Sequence, residues 1–224
     1  MSEACALYRD ALYEQLARLT KAMAHPRRLM LLDVLLQAPR TVEALAEQVG
    51  TSVASTSQHL QVLRGARLVE ADKKGLYVTY RLADDLVHGL LRDLRELARH
   101  RLAEIDQLQR QVHDQGPGAA RLSADELREC LSRGEALLLD VRPAEEYRAG
   151  HLPGAVLMPL EELEERLSEL PRDRPIVAYC RGDYCLMARR AVALLLDHGY
   201  QAHYVDEGIR ELQEEGLPVE ASPS

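Results

Sequence analysis

Two cysteines, Cys180 and Cys185, lie five positions apart in the segment YCRGDYC. An apolar run, PIVAY, leads into the segment and a helical pattern follows it, which predicts a loop between a buried strand and a helix. The backbone N–H groups of such a loop and the positive end of the helix stabilise a thiolate. We therefore expect Cys180 to be a nucleophile that is held by the amides of the loop.

The same two cysteines suggest other chemistry, which the sequence does not favour. Only two cysteines are local, and their spacing is not Cys-x-x-Cys, so we predict no metal site and no cofactor. The N-terminal residues lack the basic-then-apolar pattern of a signal peptide, so the four cysteines are expected to be thiols in a reducing cytoplasm. Cys185 has two open interpretations: a small residue that opens the helix, or a second thiol that attacks sulfur carried by Cys180.

The elements around this segment alternate between short apolar runs and helical patterns. The apolar runs are ALLLDVR, AVLMPL, PIVAYC and AHYVD. The helical patterns are EEYRAG, EELEERLSEL, LMARRAVALLLDHGY and GIRELQEEG. This alternation predicts an α/β domain whose parallel sheet is covered by helices on both faces.

Three strings in this half, LLLDVRPAEEYRAGHLPGAVLMPL, PIVAYCRGDYC and VDEGIRELQEEGLPV, resemble a rhodanese domain over residues 122–220. The resemblance implies that Cys180 carries sulfane sulfur as a persulfide and passes it to a thiol acceptor. It also implies that Asp140 and Arg142 form a structural pair at a strand end. The implied amide cradle is the rest of the loop, namely Arg181, Gly182, Asp183, Tyr184, Cys185 and Leu186.

The loop departs from the rhodanese pattern at positions that bear on its substrate. Phosphatase relatives of this fold have a loop one residue longer that ends in arginine, whereas the next arginine here is Arg189, which argues against phosphatase activity. A basic or small residue is common where Cys185 stands. Asp183 adds negative charge, so thiosulfate should be a poorer donor than a persulfide or polysulfide. Leu212 and Glu207 replace the usual tryptophan and one glycine of the preceding Gly-Gly.

The first half of the chain predicts a different, mainly helical domain over residues 1–113. Four helices are followed by a hairpin with strands at Leu68–Ala71 and Leu76–Leu82, and then by one helix of nearly 30 residues from Asp84 to Val112. The segment AEQVGTSVAS joins two short helices through a glycine turn, as in a winged helix-turn-helix domain. The apolar stripe of the last helix is too long for so small a domain to cover, which predicts pairing with a second copy of the chain.

The second short helix of this pair is predicted to enter the major groove of double-stranded DNA. Small polar groups near its N-terminus can reach base edges, and lysines at the hairpin tip can reach phosphates. Residues 1–115 have 16 basic and 15 acidic residues (net +1), whereas residues 116–224 have 12 and 21 (net −9), so the acidity lies in the second half. The predicted DNA-binding residues are Ser55, Thr56, Ser57, Gln58, His59, Arg64, Lys73 and Lys74.

The string STSQHLQVLRGARLV, followed by the hairpin, is similar to the ArsR family of winged-helix repressors over about residues 10–112. That resemblance implies a homodimer, paired through its first and last helices, that releases operator DNA when an inducer binds. Many members sense metals, but Thr41 and Glu43 stand where one family site has its thiolates. A second family site has Asp and His two positions apart, whereas Asp85 and His88 are three apart, although His100 and Glu104 do share a helix face.

Residues 114–121, within HDQGPGAAR, have the glycine and proline content of a linker. The sequence therefore predicts a repressor fused to a rhodanese-like domain that senses or transfers sulfane sulfur. Two alternatives stay open: a sulfurtransferase whose winged helix serves mainly dimerisation, and a repressor with an inert rhodanese-like module. No apolar stretch approaches the ~20 residues that cross a membrane, so no membrane partner is expected.

Overall fold

The computed structural model describes residues 3–75, 77–114 and 121–222. The chain divides into two compact units, residues 1–102 and 103–224. Most of the predicted linker, residues 115–120, lies outside the described residues. Within the described part of the chain, no helix is both long enough and apolar enough to cross a membrane.

The first unit is mainly helical and has a small antiparallel sheet with the strand order β1-β3-β2. Its elements are α1 (Glu3–Met23), α2 (Pro26–Gln37), β1 (Arg40–Thr41), α3 (Val42–Val49), α4 (Val53–Gly65), β2 (Val69–Lys74), β3 (Tyr77–Leu82) and α5 (Leu86–Arg101). This order confirms the predicted winged helix-turn-helix. The strands of the wing extend to its tip, where Lys73 and Lys74 pair with Val78 and Tyr77.

Capping interactions fix the turn between α3 and α4. The Thr41 side chain accepts a hydrogen bond from Ala44 N–H at the start of α3, and the Ser52 side chain accepts one from Ser55 N–H at the start of α4. Between them, Gly50 ends α3 in the left-handed conformation at φ +63°. Fully buried leucines then hold the helices together, and each such leucine contributes about 1.5–3 kcal/mol. They are Leu31, Leu32, Leu45, Leu60 and Leu63.

The predicted helix from Asp84 to Val112 is wrong in one respect, because it is two helices. α5 ends at Arg101 and α6 (Ala103–Asp114) begins two residues later, with Leu102 in an extended conformation between them. The last turn of α5 contains two arginines and a histidine, and the first turn of α6 contains Glu104 and Asp106. Basic residues stabilise the C-terminus of a helix and acidic residues stabilise the N-terminus of the next one. The prediction of one helix followed the apolar periodicity, which continues across this break.

The second unit is an α/β domain with a five-stranded parallel sheet in the order β4-β8-β7-β5-β6, as predicted. The segment EELEERLSEL is not the helix that was predicted; it forms turns and a short 3-10 helix at Leu167–Glu169. The elements after α6 are β4 (Arg121–Leu122), α7 (Ala124–Arg133), β5 (Leu137–Asp140), α8 (Ala144–Ala149), β6 (Val156–Leu157), β7 (Ile176–Tyr179), α9 (Met187–Asp197), β8 (Ala202–Val205) and α10 (Ile209–Glu214).

The carboxyl ends of the central strands β5 and β7 meet at one edge of this sheet. Asp140, the last residue of β5, is in register with Tyr179, the last residue of β7. The chain continues directly from Tyr179 into Cys180. Ligands of open parallel sheets bind at this edge, so the topology places the two-cysteine loop where a site is expected.

Candidate functional site

The loop from Cys180 to Leu186 connects β7 to α9, as the sequence predicted. It folds back on itself through a hydrogen bond from Cys185 N–H to the Gly182 carbonyl oxygen, 2.8 Å long. Gly182 has φ +112°, a conformation that residues with a Cβ rarely adopt. The turn brings the two cysteines together, and the Cys180 thiol donates to the Cys185 carbonyl oxygen at 3.5 Å.

The two thiols share one environment but differ in acidity. A hydrogen bond to Cys185, together with burial, raises the pKa of Cys180, which is 2% exposed. The hydrogen bond from Cys180 lowers the pKa of Cys185 to about 6, with further help from the N–H groups of Met187 and Arg181. These shifts favour a negative charge on Cys185 over one on Cys180. The sequence predicts Cys180 as the nucleophile, and spacing alone does not show how two neighbouring sulfurs share a proton.

The amide cradle extends beyond the predicted loop. The backbone groups of Gly182 and Ala188 favour a negative charge on Cys180, and those of Arg181 and Met187 favour one on Cys185. Met187 and Ala188 belong to the first turn of α9, whose N–H groups have no partner within the helix. The sequence predicted that the loop amides and the positive end of the helix would both stabilise a thiolate, but Met187 and Ala188 were not named among the cradle residues.

The side chain of Arg181, the only cationic residue in the loop, is held by the protein itself. Its guanidinium donates to both carboxylate oxygens of Glu146 in α8, at 2.9 and 2.6 Å, and Glu146 is fully buried. Such a bidentate pair fixes the base of the loop. Sequence analysis missed Glu146, because no local pattern links EEYRAG to an arginine 35 positions later.

The two other arginines near the loop are also in ion pairs. Arg189 in α9 donates to both oxygens of Asp206 at 2.9 Å. Arg121 forms ion pairs with Asp206 at 3.3 Å and Glu207 at 3.1 Å, and it also interacts with the charge of Asp183. The surroundings of the loop therefore offer balanced charge rather than a cationic pocket.

Asp140 and Arg142 form a buried ion pair beside the site. The Arg142 backbone N–H and side chain donate to Asp140, with the shortest contact at 2.6 Å, and the guanidinium also donates to the Gly150 carbonyl oxygen. The guanidinium lies 5.7 Å from the centre of the Tyr179 ring. The contacts with Gly150 and Tyr179 join the end of β5 to neighbouring segments.

The loop rests directly on the backbone at the start of α10. A Cβ on Gly208 would lie 2.4 Å from the Arg181 carbonyl oxygen, and one on Gly182 would lie 3.2 Å from Gly208 N. Only glycines allow two backbones to approach this closely. The sequence showed that Glu207 replaces the first glycine of the usual Gly-Gly pair. It did not show that the second glycine, Gly208, contacts the backbone of Arg181.

Replacing Gly208 with alanine should displace the loop and cost about 1–3 kcal/mol of folding stability, because the added methyl overlaps backbone atoms. Displacing the amides that favour the Cys185 thiolate should also raise the pH at which iodoacetamide alkylates Cys185. Peptide mass spectrometry measures the alkylated fraction at each pH. Gly216→Ala is the matched control, because its Cβ would meet nothing within 4 Å. Its positive φ makes it mildly destabilising, but alkylation should keep its pH dependence. Equal alkylation profiles in the two variants would contradict this account.

The predicted DNA-binding residues lie on α4 and the wing, and one of them, Thr56, was predicted wrongly. Thr56 does not belong to a contact surface, because it is fully buried and its hydroxyl lies 2.6 Å from that of Thr51. The side chain of Lys74 lies outside what the structure describes. The remaining predicted residues are exposed or half-buried: Ser55, Ser57, Gln58, His59, Arg64 and Lys73.

The start of α2 lies beside this surface, which sequence analysis did not predict. The His25 and His59 rings are 4.4 Å apart, and burial, His25, Arg28 and Arg27 together lower the pKa of His59. His59 is therefore neutral near pH 7 and can accept as well as donate a hydrogen bond. The run HPRR is the sequence signal that could have indicated this basic neighbour.

Two helices of the first unit carry large apolar side chains that this unit does not cover. On α1 they are Leu7, Tyr8, Leu12, Tyr13, Leu16 and Leu19; on α5 they are Leu86, Leu90, Leu94 and Leu97. The α5 set recurs every three or four residues, as do Tyr8, Leu12, Leu16 and Leu19 of α1, so each helix has an apolar stripe along one face. Apolar stripes of this length indicate a partner surface. Within the described residues, no group of three or more histidine, cysteine or acidic side chains could hold a metal ion.

Two family models match the chain: the bacterial regulatory protein, arsR family, at residues 25–71, and the rhodanese-like domain at residues 123–215. The HTH-type transcriptional regulator Rv0324 of Mycobacterium tuberculosis is 42% identical over 210 residues, which are 94% of this chain and 92% of that protein. A sulfurtransferase of Allochromatium vinosum is 34% identical over 88 residues, 39% of this chain and 80% of that protein.

A solved structure also resembles the first unit. It is the homodimeric winged helix-turn-helix DNA-binding domain of a possible ArsR-family regulator from Mycobacterium bovis. Its identity to this chain is 38%, and the match covers 46% of this chain and 91% of that domain with a TM-score of 0.41.

Proposed function

The chain belongs to the HTH-type transcriptional regulators that join an arsR-family DNA-binding domain to a rhodanese-like domain, and from this premise we propose that it is a sulfane-sulfur-responsive repressor. In this proposal a homodimer binds operator DNA in the cytoplasm. Cys180 takes up sulfur from a small persulfide or polysulfide, and loading lowers operator affinity. The observation that carries the proposal is the thiol pair on an amide cradle, in one polypeptide with a DNA-binding domain.

The charge around the loop supports a persulfide over thiosulfate as donor. Thiosulfate carries two negative charges and would approach Asp183 and the Cys185 thiolate. Arg181, the cation of the loop, is paired with Glu146. The persulfide group of a donor carries at most one negative charge, so it meets less repulsion from Asp183 and Cys185 than thiosulfate does.

Homodimerisation is supported by the apolar stripes on α1 and α5. Their leucines and tyrosines are 36% to 80% exposed within one chain. A second copy presents the same stripes, so a two-fold interface would cover both sets. Two recognition helices would then reach two half-sites of one operator.

The test is a DNA-binding titration with and without glutathione persulfide, paired with intact-mass analysis of the same samples. Cys5 and Cys130 are replaced by serine so that mass changes report the loop alone. Operator affinity of the loaded protein should fall at least about tenfold, equivalent to about 1.4 kcal/mol. Cys180→Ser should keep full affinity under the same treatment. Unchanged affinity in fully loaded protein would contradict sensing.

Replacing Gln58 or Lys73 with alanine should weaken DNA binding in distinguishable ways. Gln58 is exposed on α4, where it can pair with a base edge, so Gln58→Ala should cost about 1–3 kcal/mol at the operator and relax specificity at one position. Lys73 lies near the tip of the wing, so Lys73→Ala should weaken all DNA equally and reduce the salt dependence. Fluorescence anisotropy with operator and scrambled duplexes separates the two. Equal losses on both duplexes for Gln58→Ala would remove it from base recognition.

A second candidate function is a sulfurtransferase that passes sulfur to a thiol acceptor. Similarity of the second unit to the sulfurtransferase of Allochromatium vinosum favours it. Steady-state turnover with glutathione persulfide and a dithiol acceptor, together with no preference for any DNA sequence, would support this function over regulation. A third alternative, an inert rhodanese-like module, would be supported if Cys180 took up no sulfur.

A further inference from the structure

A persulfide carrier requires only one cysteine, yet this loop contains two cysteines whose side chains interact. Cys180 lies at the base of the loop, almost fully buried, and Cys185 lies above it, half-buried. The turn closed by Gly182 and Cys185 folds the backbone so that the Cys180 thiol reaches the Cys185 carbonyl oxygen. Cys180 belongs to an apolar cluster, and Cys185 packs against the same cluster.

We propose that Cys185 is a resolving cysteine that discharges the persulfide on Cys180, closes a Cys180–Cys185 disulfide and releases hydrosulfide. This inference rests on the proposed function, because it requires Cys180 to accept sulfur first. It adds a second chemical step to the loop. It also makes the disulfide, rather than the persulfide, the lasting form of the loaded protein.

The two steps balance in atoms and electrons. In the first, the Cys180 sulfur attacks the outer sulfur of a small persulfide; that S–S bond breaks, the Cys180 proton passes to the departing donor, and the donor leaves as its thiol. In the second, the Cys185 thiolate attacks the inner sulfur on Cys180; the new S–S bond forms, and the outer sulfur leaves as hydrosulfide. The two protein thiols lose two electrons, and the donor persulfide is reduced to a thiol and sulfide.

The electrostatics of the loop suit these roles. The pKa of about 6 makes Cys185 a thiolate near neutral pH without an external base. The amides of Gly182 and Ala188 favour negative charge at Cys180, where the leaving hydrosulfide departs. The thiolate fraction rises with pH, so sulfide release should accelerate as Cys185 ionises and level off once it is fully a thiolate.

This chemistry distinguishes the loop from a simple sulfur carrier. A carrier keeps its persulfide until an acceptor thiol arrives. This loop would instead release the sulfur as hydrosulfide after each reaction with a donor, without an acceptor. Restoring the dithiol would require a thiol reductant. The protein would therefore respond to the balance between persulfides and reducing thiols.

The test uses the full chain with Cys5→Ser and Cys130→Ser, mixed with one equivalent of glutathione persulfide and followed by intact mass and sulfide determination. The protein with both loop cysteines should lose two hydrogen atoms and release one sulfide per chain. Cys185→Ser should instead gain one sulfur atom, release no sulfide, and keep its persulfide at least about 100-fold longer, because the intramolecular nucleophile is gone. Cys185→Ala repeats the test, and urea unfolding confirms that each variant is folded.

The outcomes separate this inference from the proposed function. If the protein with both loop cysteines retains one added sulfur as long as Cys185→Ser does, the resolving step is wrong while sulfur sensing stands. If Cys185→Ser and Cys185→Ala are folded but take up no sulfur, Cys180 is not the acceptor. Both proposals then fail together.

Discussion

Replacing Asp140 with alanine should lower the free energy of unfolding of the rhodanese-like domain by about 3–5 kcal/mol, because Arg142 would remain buried without its counter-ion. The side chains of Asp140 and Arg142 are 0% and 1% exposed. The guanidinium would keep its hydrogen bond to the Gly150 carbonyl oxygen and its contact with the Tyr179 ring, and neither of these groups carries a negative charge. A loss of this size is a large share of the 5–15 kcal/mol that typically stabilises a domain.

The measurement is urea unfolding of the full chain, followed by hydrogen exchange and mass spectrometry so that each unit is seen separately. Amides of β5 and β7 should exchange faster, and those of α2 to α4 should not change. The control is the double variant Asp140→Leu with Arg142→Met, which removes the unpaired charge and should recover part of the loss. A single variant that costs less than about 1 kcal/mol would mean that the pair contributes little.

Introducing glutamates at Leu90 and Leu94 together should convert the protein to a monomer and reduce operator affinity by at least about 100-fold. Both leucines are more than 40% exposed on α5 and lie four positions apart. In a two-fold interface each glutamate would be buried against an apolar stripe, which is costly for an unpaired charge. A monomer engages one half-site at a time and loses the gain from linked binding.

Sedimentation velocity gives the oligomeric state, and anisotropy gives the affinity. Arg92→Glu is the matched control: it also introduces a glutamate on α5, but at an exposed position on the opposite side of the helix from Leu90. It should leave both measurements unchanged. If the double variant stays dimeric, α5 is not the interface, and α1 would be examined by the same substitutions at Leu12 and Leu16.

Much of the fold was predictable because its signals are local. Thr41, Gly50 and Ser52 act as the caps that their residue types suggest. The alternation of apolar runs and helical patterns correctly indicated a parallel sheet. The break at Leu102 was missed because apolar spacing continues across it, and only the reversal of charge between the two helices indicates two ends.

The position of the two cysteines between a strand and a helix was predictable, whereas the residues that support their loop were not. The position of Cys180 after a buried strand is readable from the sequence around it. Glu146 and Gly208 act through contacts that cross tens of residues, which a single sequence does not contain. The prediction for Thr56 was wrong for a different reason. A polar residue on a helix is expected to be exposed, but the Thr56 hydroxyl is buried and hydrogen-bonded to that of Thr51.

The pairing of Arg181 with Glu146 has a consequence for what the loop ignores. Phosphate and sulfate bind to cradles of backbone amides in proteins, and a free guanidinium adds a strong bidentate contact to them. Here the amides are present, but the guanidinium is turned toward a buried carboxylate, and Asp183 stands in the loop. We therefore expect phosphate and sulfate to bind only weakly at this loop.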